Sequence, residues 1–398
     1  MIQLIYKATF LLLIFVIAAI PSGSIKGVPL DLMLVSLCGI FWLLMLLKKK
    51  FRLKKVNVLF FTIYVVTTAV SLLISVINGF YNTFLQEYML ILSPVVILCL
   101  YRSEYVRGIS IVKSIILGSL CYSLFKILMV FQIAQGNISF EDFTNLSKTL
   151  FGVSFITMLI DPTYKIIRIY YVSDFIVAIT PLLIFSSSFK NVKKVYKFSL
   201  LTVFLVSIYI AYSRYLIIIY VFAVFFVFIK NFNKISKVYK TCLFIIGLFI
   251  LFIFKDNILI IFETFFNRFL SDDNASSDIV RVNQVDMLLN ILSSHLLFGT
   301  GIGGYDNQFL RSSTELFSYE LQWLALMFKM GLVLFIVLIT SIVGFLITNI
   351  KFNIESTFFI VLIFSVGIFN PYLQSLIFGV VLLSILVLYS NERKDNLN

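Results

Sequence analysis

Apolar runs separated by short polar breaks recur along the whole chain, and most are about 16 to 25 residues long, the length an α-helix needs to cross about 30 Å of hydrocarbon. They predict spans at about 4–20, 30–47, 56–77, 86–101, 109–134, 171–189, 198–213, 215–229, 241–255, 319–348, 354–371 and 373–389. The short alternating segments of a membrane barrel are missing from the pattern. The expected fold is all-α: one polytopic membrane domain over 1–398 with about twelve transmembrane helices. The run ending at Ile20 reads as a span and not a cleaved signal, because eleven more follow.

Two connections, 135–170 and 256–318, are too long to be simple turns. The second carries Asp272, Asp273 and Asp278, read as a solvated tip and not a divalent-ion loop. After them Val282, Val285, Leu288, Leu289 and Leu292 recur at intervals of three and four. That spacing predicts a short amphipathic helix lying against the membrane face.

Composition narrows the class further. With 61% hydrophobic and 13% charged residues the chain is no soluble domain. The net charge of +13 could suggest nucleic acid, but the Lys and Arg residues sort by connection. Nineteen fall in one alternate set of connections and tails, such as 48–55 and 190–197, and eight in the other. That is the positive-inside signature. It places both termini in the cytoplasm and the two long loops on the extracytoplasmic side, and it leaves no nucleic-acid partner to expect. Cys38, Cys99, Cys121 and Cys242 lie in apolar runs without paired spacing, and His295 is the one histidine. No disulfide frame, metal site or cofactor is expected.

Candidate chemistry lies with the cations on the sparse side: Arg168, Arg214, Arg281 and Arg311. Ser213-Arg214-Tyr215 divides two spans with almost no loop. An arginine there can simply snorkel to the interface, or its guanidinium fork can grip two phosphate oxygens. Arg281 opens the amphipathic stretch. Gly299-Thr300-Gly301-Ile302-Gly303-Gly304 matches a dinucleotide fingerprint in letters only, since no βαβ unit surrounds it. It reads as a tight turn whose backbone N–H groups approach a partner or an anion. Glu320, at the start of the tenth span, either complements the helix dipole or serves as a general base. Gln322 and Trp323 beside it suit a sugar, by hydrogen bonding and stacking. Lys126 and Lys329 lie inside spans, where each pairs with an acid or lines a cavity.

From Arg281 to Gly331 the chain resembles the C-terminal half of the O-antigen polymerase (Wzy) and O-antigen ligase families. The resemblance rests on Arg281, then Leu297-Phe298-Gly299-Thr300-Gly301-Ile302-Gly303, then Glu320, ten residues, and Gly331-Leu332-Val333. Ser213-Arg214 matches the mid-chain phrase of these families. The ligases usually carry His where this chain has Glu320, and the Arg-to-Gly spacing of the earlier polymerase loop is absent, since Ile179 stands eleven positions after Arg168. The resemblance implies a metal-independent glycosyltransferase of the bacterial inner membrane. Its donor would be a glycan on undecaprenyl pyrophosphate, its acceptor another lipid-linked repeat unit, and its further partners the bilayer and a chain-length regulator. Arg214 and Arg281 would hold the pyrophosphate and Glu320 would act as base. Arg168, Arg311, Gln322, Trp323, Gly299, Gly301 and Gly303 would line the substrate. The rivals are a ligase acting on lipid A–core and, from another class, a flippase of lipid-linked oligosaccharide. Transporters concentrate polar groups near mid-bilayer, whereas this chain gathers them in outer loops.

Overall fold

A backbone in hydrocarbon must satisfy its own N–H and C=O groups, so apolar runs become helices. The computed structural model describes residues 1–48, 54–152, 156–161, 166–186, 189–232, 273–310, 315–368 and 370–390. Helices α1 (Ile2–Ala19), α2 (Leu30–Leu47), α3 (Lys55–Ile77), α4 (Phe84–Leu100) and α5 (Gly108–Ala134) come first. They are followed by α6 (Phe140–Phe151), α7 (Asp174–Ile184), α8 (Lys194–Ala211) and α9 (Arg214–Phe232). The last four are α10 (Asp273–Ser294), α11 (Gln322–Asn349), α12 (Ile354–Phe364) and α13 (Leu376–Tyr389).

Among the described residues, α1, α2, α3, α5, α8 and α11 are long and apolar enough to cross a membrane. Shorter apolar helices occupy five more of the predicted spans; the span at 241–255 lies outside the described residues. The clearest departure is α7, whose 11 residues reach only about 16 Å at 1.5 Å per residue. All of α7 is buried within the bundle, so it is a core element and not a full lipid-facing span.

The first long loop contains structure that the apolar pattern did not predict. Helix α6 starts at a capping box between Ser139 and Asp142 and ends at Gly152, whose φ of 70° is left-handed. A hairpin follows, β3 (Ile156–Asp161) antiparallel to β4 (Ile166–Tyr170), with Met158 opposite Arg168. A smaller hairpin joins α1 to α2, β1 (Ser24–Ile25) pairing with β2 (Val28–Pro29).

Helix ends collect on two faces. On one face Asn57 and Asn349 exchange side-chain hydrogen bonds (3.3 and 2.8 Å), and Ile350 bridges Ser390. On the other, the loop face, the Lys26 amide donates to Leu150, the Asn78 amide donates to Thr300, and the Thr83 hydroxyl donates to Gly303. The main core runs through α1, α5, α7, α8, α9 and α13. A second cluster joins α3, α4 and α11, and a third packs α10 on α11.

Candidate functional site

The glycine-rich segment takes its role from a break in α11. Gly331 sits at φ 67° and ψ 170°, a region open in practice only to glycine. It divides α11 into two halves and would strand carbonyls before the break and N–H groups after it. Residues 296–302 supply the missing partners. The Thr300 and Gly301 amides donate to the Phe328 and Lys329 carbonyls at 3.1 and 2.7 Å. The Leu332 and Val333 amides donate back to Leu296 and Leu297 at 2.8 and 3.2 Å. Side chains would prevent this approach: a Cβ on Gly299 would overlap the Lys329 carbonyl, and one on Gly331 would overlap Leu297 backbone. A Cβ on Gly301 would strike Ser75 of α3. Non-helical backbone at membrane depth is tolerated only where protein covers it, and residues 296–303 are that cover.

A buried ion pair fastens the splice. Lys329 donates to Glu87 of α4 at 2.6 Å and to the Phe317 carbonyl at 2.7 Å, both side chains being 1% exposed. The rings of Phe317, Tyr319 and Phe328 lie 5.5–5.6 Å from the ammonium. Glu87 also accepts from the Gly303 amide at 2.6 Å and from Gln374 at 3.2 Å. The pair therefore joins α4, α11, the glycine segment and the loop before α11. A second pair, Lys126–Asp174 at 2.7 Å, is fully buried and links α5 to α7. Both lysines thus pair with an acid, as one of the two sequence readings had it. Neither Glu87 nor Asp174 was anticipated, although a lysine inside a span is itself a reason to look for an intramembrane carboxylate.

Above the splice, Arg281 of α10 donates through Nε to Glu320 at 3.1 Å, with the side chains 27% and 25% exposed. One turn along α10, Gln284 is buried and its carbonyl accepts from the Leu321 amide at 3.0 Å. That bond fixes the neighbour of Glu320 to α10. The predicted helix forms, over Asp273–Ser294, but its apolar residues do not gather on one buried side. Gln284, Leu288 and Leu292 face α11, while Val282 and Leu289 are exposed. The Gln284 contact sets that register. Glu320 also differs from expectation: the helix begins at Gln322, so Glu320 precedes the first turn and is held by Arg281 instead of the helix dipole.

Arg168 bonds the corner between α8 and α9, and Arg214 opens α9 just after that corner. The α8 C-cap, Tyr212, has left-handed backbone at φ 50°, and this lets α9 start at Arg214 two residues later. Arg168, on β4, donates through Nε to the Ala211 carbonyl at 3.2 Å and stacks over the Tyr170 ring at 5.3 Å. Burial draws the Arg168 pKa down, opposed by Tyr170, Asp174 and Tyr212. Arg214 is half-buried. Packing links the two arginine groups: Tyr170 lies 6.4 Å from Tyr372, and the Leu373 amide donates to Gln322, two residues after Glu320, at 2.7 Å.

Gln322 is thus buried, with its carbonyl accepting from Leu373. The Trp323 indole N–H donates to the Phe364 carbonyl at 2.7 Å. Arg311 lies outside the described residues. The three glycines of the segment, read as substrate lining, all make close backbone contacts within the fold.

Residues 198–339 match the family model described as O-Antigen ligase. The resemblance read from the sequence is borne out over that stretch, which contains Arg214, Arg281, the glycine segment, Glu320 and Gly331. The family covers O-antigen ligases and polymerases, membrane enzymes of glycosyltransferase type. Arg168 and Glu87 lie outside the matched residues. No curated protein and no solved structure matches the chain.

Proposed function

We propose that the protein is an O-antigen or related polysaccharide polymerase, joining undecaprenyl-pyrophosphate-linked repeat units at the periplasmic face of the bacterial inner membrane. The observation that carries this reading is the Arg281–Glu320 pair, a cation and a carboxylate 3.1 Å apart and partly open at the loop face, inside the segment with the family match. The lysine and arginine asymmetry supports a periplasmic loop face and cytoplasmic termini. The lipid-linked substrates follow from the family resemblance.

The chemistry needs one bond made and one broken. A hydroxyl at the non-reducing end of the acceptor attacks the anomeric carbon of the donor. The bond from that carbon to the pyrophosphate oxygen breaks, and undecaprenyl pyrophosphate departs with the electron pair. Arg281 exchanges its carboxylate partner for a pyrophosphate oxygen and stabilises the growing negative charge. The exchange is inexpensive, because a partly exposed ion pair is worth only about 0–1 kcal/mol. Glu320, released from the guanidinium, accepts the hydroxyl proton. Arg214 provides further positive charge for the phosphates. Gln284, Gln322 and the glycine segment position these groups. A chain-length regulator is the protein partner this reading anticipates.

The description of the matched family favours a second reading, ligation of the finished glycan to lipid A–core. A deletion strain separates the two. A single repeat unit on the core supports polymerase; unmodified core with accumulating lipid-linked polymer supports ligase. Loss of all periplasmic lipid-linked repeats would mean a flippase and would overturn both. Complementation with Arg214→Ala and with Arg281→Ala should give the deletion phenotype at normal membrane abundance. Wild-type polymer from both variants would remove the arginines from the mechanism.

A further inference from the structure

Two open spaces share walls: one runs along the bundle from Trp323 and Gln374, beside the candidate site, and the other lies at the opposite face. The first is an apolar groove between α3, α4, α11 and α13, walled by residues such as Phe60, Tyr64, Ile342 and Leu382. The second is a polar pocket bordered by Lys54, Asn57, Arg102, Ser103, Glu104 and Asn349. Phe61, Leu98 and Phe345 line both, so the groove opens directly into the pocket. Hydrocarbon walls thus continue into a polar chamber edged by two cations and one carboxylate.

The chamber is built and not incidental. Arg102 is held by its bond to the Tyr101 carbonyl at 2.8 Å and lies 5.3 Å from the Trp42 ring. Asn57 and Asn349 tie the start of α3 to the end of α11 across the pocket wall. The pocket lies at the face where the cation-rich connections 48–55 and 102–107 leave the bundle. A fixed guanidinium in a polar recess suits a phosphate, and basic pockets between membrane helices suit anionic head groups.

We propose that this paired space binds an anionic phospholipid from the leaflet opposite the candidate site. Its phosphate lies by Arg102 and Lys54, and one acyl chain runs into the groove between α3 and α11. The lipid would brace the lower half of α11, whose upper half carries the splice. The assignment is independent of the sugar chemistry proposed for the loop face.

The test uses full-length protein in neutral detergent, with bound lipid counted by native mass spectrometry. Phosphatidylglycerol should be retained about tenfold better than phosphatidylcholine of the same chains, a difference of about 1.4 kcal/mol. Arg102→Gln with Lys54→Gln should abolish that preference, and Arg102→Lys should keep part of it. Ser341→Phe, placed in the groove wall, should reduce retention of the lipid, and an unchanged elution profile and melting temperature would show that the fold is intact. Soluble glycerol phosphate should compete poorly; equal competition would mean a phosphate site and not a lipid site. Equal retention of the two lipids, or full preference in the double variant, would overturn the proposal. Retention of a polyprenyl phosphate in preference to phosphatidylglycerol would overturn it too.

Discussion

Two ion pairs stand one above the other at the loop end of α11, and their surroundings give them opposite properties. Lys329–Glu87 is 1% exposed on both sides, with further hydrogen bonds from Gly303 and Gln374 to the acid. Arg281–Glu320 is about a quarter exposed. In a buried pair, loss of one partner leaves a charge with no water to receive it. In a half-open pair, water or a ligand oxygen takes the vacated position. The lower pair is therefore architecture and the upper pair is exchangeable. The same division explains why the glycine segment, legible as a motif, belongs to the lower layer: its amides complete a broken helix.

The strongest challenge to this division is Gly331→Ala. The variant combines a backbone region closed to alanine with an overlap on Leu297, and folded protein should fall to a small fraction in a detergent-solubilised fluorescence assay. Undiminished yield and melting temperature would mean that the splice bears no load. Next, Lys329→Met and Glu87→Gln should each cost about 3–5 kcal/mol, the usual penalty for halving a buried pair. Combined, they should recover part of that loss. Simple additivity would place the two groups in water, against the observed burial.

Arg281→Ala should behave in the opposite way. Its stability change should be about 0–1 kcal/mol, while polymer formation drops by about 10²–10³, the scale for losing one charge-stabilising donor. Arg281→Lys should recover little of it, since one ammonium does not reproduce the fork. A melting temperature lowered as far as that of Lys329→Met would merge the two classes and break the comparison.

The smallest effect concerns the cap of α6, where hydrogen bonds from Ser139 draw the Asp142 pKa below its ordinary value. A carboxylate with a lowered folded pKa contributes above its unfolded value of about 3.9 and loses that contribution as the pH falls through the folded one. Amide exchange over 140–151 should therefore be flat at neutral pH and accelerate in acid. Ser139→Ala should exchange faster at neutral pH and respond less to acid.

The fold was legible where one signal dominates. Eleven of the twelve predicted spans fall on apolar helices among the described residues, six of them long enough to cross a membrane, and the helix α10 followed from its three-and-four spacing. Hairpin β3–β4 was not legible, because Ile and Tyr in a short outer segment look like interfacial anchors until they pair. The buried side of α10 was equally hidden, since one hydrogen bond from Gln284 decides it and not the hydrophobic pattern. For the site, Arg281 and Glu320 were singled out separately, and the fold joins them. Glu87 was missed because nothing local marks a lone carboxylate in a span; its partner lies 242 positions away. The corner that Arg168 bonds and Arg214 follows turns on a left-handed tyrosine, Tyr212, that few rules would predict.

The splice across Gly331 has a further consequence for how such a molecule can diversify. Residues 304–316 leave from the glycine segment, where Glu87 holds Gly303, and return at Phe317, whose carbonyl Lys329 holds, so their two ends are anchored whatever lies between. Loop-closure entropy grows slowly, about 0.6 kcal/mol for each doubling of length. This stretch can then lengthen, shorten or exchange its contents while the membrane helices keep their register, a freedom that would let one bundle be refitted to glycans of different size and branching.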